Sequence, residues 1–391
     1  MQLSFQLEEG MEFDEEKEGL EVIFGKVEDP RFDRTKKYPL NEVLFLSLCA
    51  IICGMDSWRG IEDYGNEKIS FLQKYFPYKN GIPSFNTIGR VFSLIPSVSL
   101  ESLFMEFMRW YCKPSKAEII AIDGKTLRRS YDKGDGKIAT HLLNVWSSSR
   151  GLCLGQIDVG EKTNEITAVP KVLEHLDIRG SIVTVDALNT QKEIAEKIIE
   201  HGGDYLMPIK GNHSKKEETI KNVFDREEVK LIPSYSHKQT VEKGHGRIEI
   251  RDYFCVKNVT YINDQENWRS LNTLCKVIST VDRGGEQKIT EKYYITSHSP
   301  DIDVISDAIR GHWGIENGLH WVLDVIFGED QSRKRKDHAP RNFSLLRKIA
   351  LNIINTDKSP VGSLIGKKRR ALMNKTFLET MLTGSGFLQS I

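Results

Sequence analysis

Two short apolar runs, each closed by an aspartate, constrain this chain more than any other feature. Ile119-Ile120-Ala121-Ile122 ends at Asp123, and Ser181-Ile182-Val183-Thr184-Val185 ends at Asp186. Short apolar runs without alternation read as strands buried on both faces, as in a sheet covered by helices. An acid at the end of such a strand is costly unless something neutralises it. Around these two runs the pattern is regular. Residues 142–147 and 152–159 read as a hairpin turning at 148–151, 164–176 as a helix, 190–200 as an amphipathic helix started by Asn189 or Thr190, and 205–209 as another strand. The expected order is β-β-β-α-β-α-β, with an acid closing the first and the fourth strand.

The flanking segments follow a different grammar. Residues 39–111 are helical in pattern: Leu44, Leu48, Ile51 and Ile52 form one stripe, 84–95 a second helix capped by Ser84 or Asn86, and 97–111 a third. Lys113-Pro114-Ser115 reads as a linker. After a polar helix at 214–224, the pieces 248–256, 274–281 and 289–295 are strand-like. A long helix is expected over 303–327 and a further one over 342–354. This divides the chain into an acidic, loosely attached N-terminus (1–30), a helical domain (31–113), the first part of an α/β core (114–211), a β-rich insertion (212–290), and a final part that completes the core and ends in a basic region (291–391).

Composition excludes several classes. No run reaches the roughly 18 apolar residues of a membrane helix, and the N-terminus is acidic without a signal-peptide pattern, so a cytoplasmic location and no membrane partner are expected. The six cysteines have no metal-type pairing, and Cys49 and Cys53 read as core thiols. Net charge is zero but unevenly spread. Residues 1–29 carry ten acids against two lysines (2 − 10 = −8), and 331–371 carry twelve Lys/Arg against two Asp (12 − 2 = +10). The basic end is either a solvated face or a nucleic-acid surface.

Paired strand acids with a further acid on a following helix suit divalent metals. Mg²⁺ takes oxygen ligands and needs only a few carboxylates besides substrate phosphate, and two ions about 4 Å apart clamp an in-line displacement at phosphorus. The helix acid is Glu316, in Arg310-Gly-His-Trp-Gly-Ile-Glu-Asn-Gly-Leu-His-Trp-Val-Leu-Asp324. At helical spacing Trp313, Glu316 and His320 share a face. Gly124 would let the backbone pass close to a metal or phosphate. Plainer readings remain open: Asp123 as a strand-end turn acid, Asp186 at a helix N-terminus, Glu316 as a surface acid, and Trp313 and Trp321 as core. A zinc set of His312, Glu316 and His320 has suitable spacing but lacks the Glu that follows the first His in His-Glu-x-x-His. Neither a Gly-rich phosphate loop nor Gly-x-Ser-x-Gly is present.

Five segments in order, Ala121-Ile-Asp-Gly-Lys-Thr-Leu-Arg128, Val185-Asp-Ala-Leu-Asn-Thr-Gln191, Gly203-Asp-Tyr-Leu-Met-Pro-Ile-Lys-Gly-Asn212, Gly244-His-Gly-Arg-Ile-Glu249 and residues 310–330, resemble the ISAs-type insertion-sequence transposases, which include the H-repeat-associated proteins of RHS elements. Pro83-Ser-Phe-Asn-Thr-Ile-Gly-Arg-Val-Phe92 resembles that family's N-terminal associated domain, and the likeness spans about 29 to 382. It implies an RNase H-like mixed-sheet catalytic core, interrupted by the β-rich insertion and preceded by the small helical domain. By position the implied triad is Asp123, Asp186 and Glu316, holding two Mg²⁺ ions for which Mn²⁺ can substitute. A wider group carries Tyr-x-x-Arg-x-x-x-Glu-x-x-x-x-x-x-Lys on the Glu helix. Here those positions are Ile309, His312, Glu316 and Leu323, so the Tyr, Arg and Lys roles do not carry over.

The expected function is an Mg²⁺-dependent DNA transposase of an insertion sequence, in which water and then a 3′-hydroxyl attack phosphorus. The alternatives are an RNase H-like nuclease without strand transfer and a domesticated DNA-binding protein. Expected partners are double-stranded transposon ends and target, met by a homodimer. Candidate DNA contacts are Lys125, Arg128, Arg310, His312, Trp313, and the run Arg333, Lys334, Arg335 and Lys336, with Lys367-Lys-Arg-Arg370 as a second basic cluster and 84–92 as a sequence-reading segment.

Overall fold

The computed structural model describes residues 24–386, apart from 114, 133, 135, 161–163, 245 and 258–267. The acidic stretch expected over 1–30 therefore lies mostly outside the described residues, as do Pro114 and His245. The chain forms two compact units, one of residues up to Leu103 together with those from Ile349 onward, the other Phe104–Lys348.

The first unit opens with α1 (Leu40–Ile52), α2 (Trp58–Leu72), α3 (Phe85–Leu94) and the start of α4 (Ser97–Tyr111). The expected stripe on α1 understates it, because Val43 to Ile52 are buried on every side, which makes α1 the central helix of its unit. Ser84 caps α3, accepting from the Thr87 N–H. Missing from the sequence reading is α2. Most of its residues are polar or small, and its signals are the Ser57 side chain accepting from Gly60 N and a narrow apolar face of Ile61, Tyr64, Phe71 and Leu72.

The second unit is built on β1 (Ile119–Thr126), β2 (His141–Ser147) and β3 (Leu152–Asp158), an antiparallel meander with the expected hairpin. Next come α5 (Glu165–Leu173), β4 (Ile182–Thr184), α6 (Lys192–Glu200), β5 (Asp204–Ile209) and α7 (Ser214–Phe224). β4 runs parallel to β1, and β5 parallel to β4. Then β6 (Ser236–Gly244), β7 (Arg247–Val256), β8 (Thr273–Arg283) and β9 (Glu286–Thr296) form an antiparallel ribbon. These strands extend the same sheet, because β9 pairs with the open edge of β5 from Leu206↔Thr296 to Ile209↔Tyr293. The sheet has nine strands in the order β3-β2-β1-β4-β5-β9-β8-β7-β6. The edge strand β6 escaped the sequence reading because Ser-His-Lys-Gln-Thr-Val-Glu-Lys-Gly is polar and largely exposed.

The helix expected over 303–327 is broken in register. It runs as α8 (Ile302–Ile315), a π-helical turn at Glu316–His320 and α9 (Trp321–Val325), with Trp321 N–H bonded to Glu316 O. Asp301 caps α8 by accepting from the Asp303 and Val304 N–H groups. The N-terminal half of α8 buries Ile305, Ala308 and Ile309 against Ile182, Leu206, Tyr253, Cys255, Cys275 and Val277. After α10 (Ala339–Thr356) the chain forms α11 (Leu364–Met373) and α12 (Lys375–Gly384). From Ile349 on these residues belong with the N-terminal helices rather than completing the core: α11 packs on α1, and Lys74 Nζ lies 2.8 Å from Glu379 Oε2.

One device sets how closely the Glu316 segment approaches the sheet. A Cβ on Gly311 would lie 2.9 Å from Ile119 Cγ2, one on Gly314 2.8 Å from Ser148 Oγ, and one on Gly318 2.6 Å from Trp146 Cζ2. The three glycines form the face laid on β1, β2 and the β2–β3 turn, and no larger residue fits at this spacing. Gly318→Ala should therefore destabilise the protein by about 1–3 kcal/mol through overpacking against the buried Trp146, although alanine is the better helix former by about 1 kcal/mol. Urea unfolding measures this, and a neutral or stabilising result would contradict the close approach.

Candidate functional site

Asp123 does not close β1. The parallel pairing of β1 with β4 stops at Ala121↔Thr184, but the ladder with β2 continues through Asp123↔Asn144 to Thr126↔His141. Asp123 thus lies, half-buried, where β4 diverges from its neighbour. Its Oδ1 accepts from the Gly124 N–H at 2.9 Å, leaving Oδ2 toward the cavity side, 3.7 Å from His320 Nδ1. Asp186 lies just beyond β4. Its Oδ1 accepts from Asn189 N at 2.9 Å and Asn189 Nδ2 at 3.0 Å, and the Thr190 hydroxyl lies between its carbonyl oxygen, at 3.1 Å, and Pro208 O on β5, at 2.9 Å, sharing its one proton between them. Asn189 and Thr190 were expected to cap α6. Instead Gln191 stands at the cap without a side-chain bond, and both earlier residues hold Asp186.

Glu316 begins the π-turn. The extra residue in that turn carries His320 inward, to 5% exposure, while Trp313 and Trp321 are 48% and 52% exposed. The single face expected for Trp313, Glu316 and His320 is therefore split, and neither tryptophan is core. His320 Nδ1 lies 3.2 Å from Glu316 Oε2, and its Nε2 lies 3.3 Å from Asn144 Nδ2. With that amide nitrogen able only to donate, Nε2 accepts and the proton sits on Nδ1, donating to Glu316. Oxygens of Asp123 and Glu316 and a nitrogen of His320 lie within 4.8 Å of one another. In this tautomer His320 holds Glu316 rather than offering a lone pair. The zinc set is not assembled, because His312 Nδ1 is bonded to Thr184 Oγ1 at 3.0 Å instead.

The three acids line one cavity of about 350 Å³, with Thr184, Leu206, Pro208, Tyr294, Ile309, His312 and Trp313, and with Lys210 and Lys292 at its basic side. Burial, then the charge of Asp186, and those of Glu165 and Glu316, push the Asp123 carboxyl up to about 7, against the pull of the Gly124 N–H. Burial, with Lys125 and Lys348 nearby, lowers His320 to about 3. Burial, with Lys292 and Lys210, lowers His312 to about 4. Both imidazoles are neutral, so neither offsets the charge of the acids. Each acid has one oxygen fixed by a donor and, among the described residues, one without such a donor, and this set of oxygens fits divalent cations.

The other expected contacts fall in several places. Lys125 turns inward, 8% exposed, with Nζ 2.5 Å from Asp324 Oδ1 and 3.8 Å from both Glu329 and Asp330. It ties β1 to Asp324 in α9 and to the acids of the turn beyond it, and does not line the cavity. Arg128 is exposed beside Asp330, and Arg310 pairs with Glu242 of β6 at 2.7 Å. In the basic run, Lys334 lies over the Phe343 ring at 3.8 Å and Arg335 donates to Arg129 O at 3.2 Å, whereas Arg333 and Lys336 are exposed. In the other unit Lys367 pairs with Asp357 and Lys368 is buried, while Arg369 and Arg370 are exposed. Gly124 makes room for a side chain rather than a metal or phosphate, since its Cβ would lie 2.1 Å from Glu165 Oε1. Sequence reasoning missed Glu165, His141, Asn144, Lys210 and Lys292. Lys210 and Asn189 lie inside the quoted motifs, but the first residue of α5 gave no signal.

In metal-free protein the folded Asp123 holds its proton to about 7, against a usual value of 3.8. This raised value contributes stability that is complete below about 4 and is lost as pH climbs through 7. In EDTA, wild type should lose stability relative to Asp123→Asn between pH 4 and 8, measured by urea midpoints. Parallel curves would contradict the crowding of charge at Asp123.

A family model described as "Transposase DDE domain" matches residues 114–353, and one described as "DDE_Tnp_1-associated" matches 22–108. The "H repeat-associated putative transposase YhhI" of Escherichia coli (strain K12) is 40% identical over 364 residues, covering 91% of this chain and 96% of that protein. The "Putative transposase YncI" of Escherichia coli O157:H7 is 38% identical over 363 residues, 91% of this chain and 92% of that protein. A piggyBac transposase synaptic complex with hairpin DNA aligns over 95% of this chain and 79% of that chain at TM-score 0.44 and 10% identity, a likeness too distant to place residues.

Proposed function

This chain belongs to the DDE transposase family, and on that premise we propose that it is an insertion-sequence transposase that cuts DNA and joins the cut end to a target, with Asp123, Asp186 and Glu316 as its metal-holding triad. The observation that carries the reading is the convergence of these acids, from β1, the end of β4 and the π-turn, on one cavity that also has a basic wall. The order β3-β2-β1-β4-β5, an antiparallel meander followed by two strands parallel to β1, supports an RNase H-like core.

Two divalent ions, when bound, would polarise the phosphate and neutralise the charge that builds on the attacking and leaving oxygens. The chain's own part is positional. Gly124 N–H, Asn189 and His320 each fix one oxygen of one acid, so the remaining oxygens are oriented before any ligand arrives. Lys210 and Lys292 line the cavity beside the acids, where a DNA phosphate would meet positive charge as it approaches. Burial and Lys210 hold the Lys292 ammonium below its usual range, so a phosphate arriving there relieves crowding among cations. Trp313, half exposed with Lys292 Nζ 5.3 Å from its ring centroid, offers a face on which a base at the DNA end can stack. The substrate is double-stranded DNA, as transposon ends and target, engaged by a homodimer. Exposed Arg333, Lys336, Arg369 and Arg370 are the remaining candidates for phosphate contacts.

The test uses DNA carrying the element's own ends with a target plasmid and Mg²⁺. Wild type should release and insert the end. Asp123→Asn should bind the same DNA with unchanged affinity and lose cleavage by a factor of at least about 10³, on the scale of losing a principal electrostatic group. Cleavage without joined product would identify a nuclease instead, and full cleavage by Asp123→Asn would remove the triad.

A further inference from the structure

A fourth carboxylate lies beside the acids. Glu165 opens α5, yet it does not cap that helix, because Asn164 Oδ1 already accepts from Thr167 N at 3.2 Å. Its side chain instead occupies the space that Gly124 leaves by lacking a Cβ. Both of its oxygens have donors: His141 Nε2 is 2.7 Å from Oε1, and Asn189 Nδ2 is 2.7 Å from Oε2. The other side of that amide nitrogen faces Asp186 Oδ1 at 3.0 Å, and at the far end His141 Nδ1 lies 2.8 Å from Thr126 Oγ1.

We infer that Glu165 is a positioning residue for Asp186, acting through Asn189. The hydrogen bonds are directional along the whole chain. Carboxylates only accept, so a side chain set between Glu165 and Asp186 must turn a donor to each, and the two N–H groups of one amide do this. His141 in turn donates from Nε2 and accepts the Thr126 hydroxyl proton at Nδ1. The chain starts on β1 three residues after Asp123 and ends at Asp186 beyond β4. It links the end of β1, just past Asp123, to Asp186 across the gap where the β1–β4 ladder has stopped at Ala121↔Thr184. Asn189 is fully buried, so the link is not shared with water. With a donor on each oxygen, Glu165 is arranged to hold a neighbour rather than to coordinate an ion itself. Partners of this kind, one bond removed from a metal, typically change metal affinity about 10–100-fold when removed.

The inference rests on Asp186 being a metal-holding acid, and its test separates the two claims. Mn²⁺ binding to the full chain, without DNA, is followed by the electron paramagnetic resonance of the free ion. Wild type, Glu165→Ala, Asn189→Ala and the double variant are compared, with thermal melting on the same samples. Each single variant should weaken Mn²⁺ binding about tenfold or more. The double variant should bind no more weakly than Asn189→Ala alone, because Glu165 acts through that residue. Glu165→Gln keeps an oxygen for Asn189 and should bind Mn²⁺ nearly as wild type does, which also serves if Glu165→Ala fails to fold. Wild-type affinity in Glu165→Ala, additive losses in the double variant, or a Gln variant as weak as the Ala variant would each overturn the positioning role. A wild-type chain that binds no Mn²⁺ would instead remove the metal-holding reading on which it stands.

Discussion

Carboxylates repel one another, and this fold brings three of them to the wall of one cavity with a fourth directly behind. The cost is visible at Asp123, whose carboxyl is pushed up to about 7 by burial and by its acidic neighbours. His312 and His320 are neutral and Lys125 is turned away to Asp324, so among the described residues the positive charge lining the cavity is that of Lys210 and Lys292. A fold holds such a cluster only if its scaffold is stable without it, and a cluster held in this way is primed for cations.

The scaffold meets the cost with close packing and with donors that leave one oxygen of each acid open. Gly311, Gly314 and Gly318 lay the Glu316 segment against Ile119, Ser148 and Trp146, so the glutamate arrives near β1 without a long side chain between. Thr190 ties the Asp186 backbone to β5 through Pro208 O. The π-turn spends one additional residue to bring His320 under Glu316, a distortion of the sort that recurs at functional sites. Lys125 works on a wider scale, anchoring β1 just past Asp123 to Asp324 in α9 and to Glu329 and Asp330 beyond it.

Much of this was legible from periodicity. The strands ending near Asp123 and Asp186, the hairpin, α3, α7 and the Glu316 helix all follow from apolar runs and caps that act locally. What escaped was set by tertiary contact. β6 is polar and becomes a strand only because β7 offers it an edge. The π-turn leaves no mark on a helical pattern. Asn189 and Thr190 carry the chemistry of a helix cap and were read as one, yet Asp186 competes for them and wins. Gly124 was legible as a close approach, but the approaching group, Glu165, sits on a helix after β3 that no local pattern joins to β1. Lys210 and Lys292 are distant in sequence and meet at the cavity through the β5–β9 pairing, which depends on the ribbon's register.

The central claim is that Asp123, Asp186 and Glu316 together hold divalent cations where DNA is cut. Anomalous diffraction from crystals of the protein with a DNA end and Mn²⁺ tests it most directly. The account predicts two Mn²⁺ peaks about 4 Å apart, in contact with oxygens of all three acids and with a DNA phosphate. Peaks that leave out Asp186 or Glu316, or ions bound only at other surfaces, would contradict it.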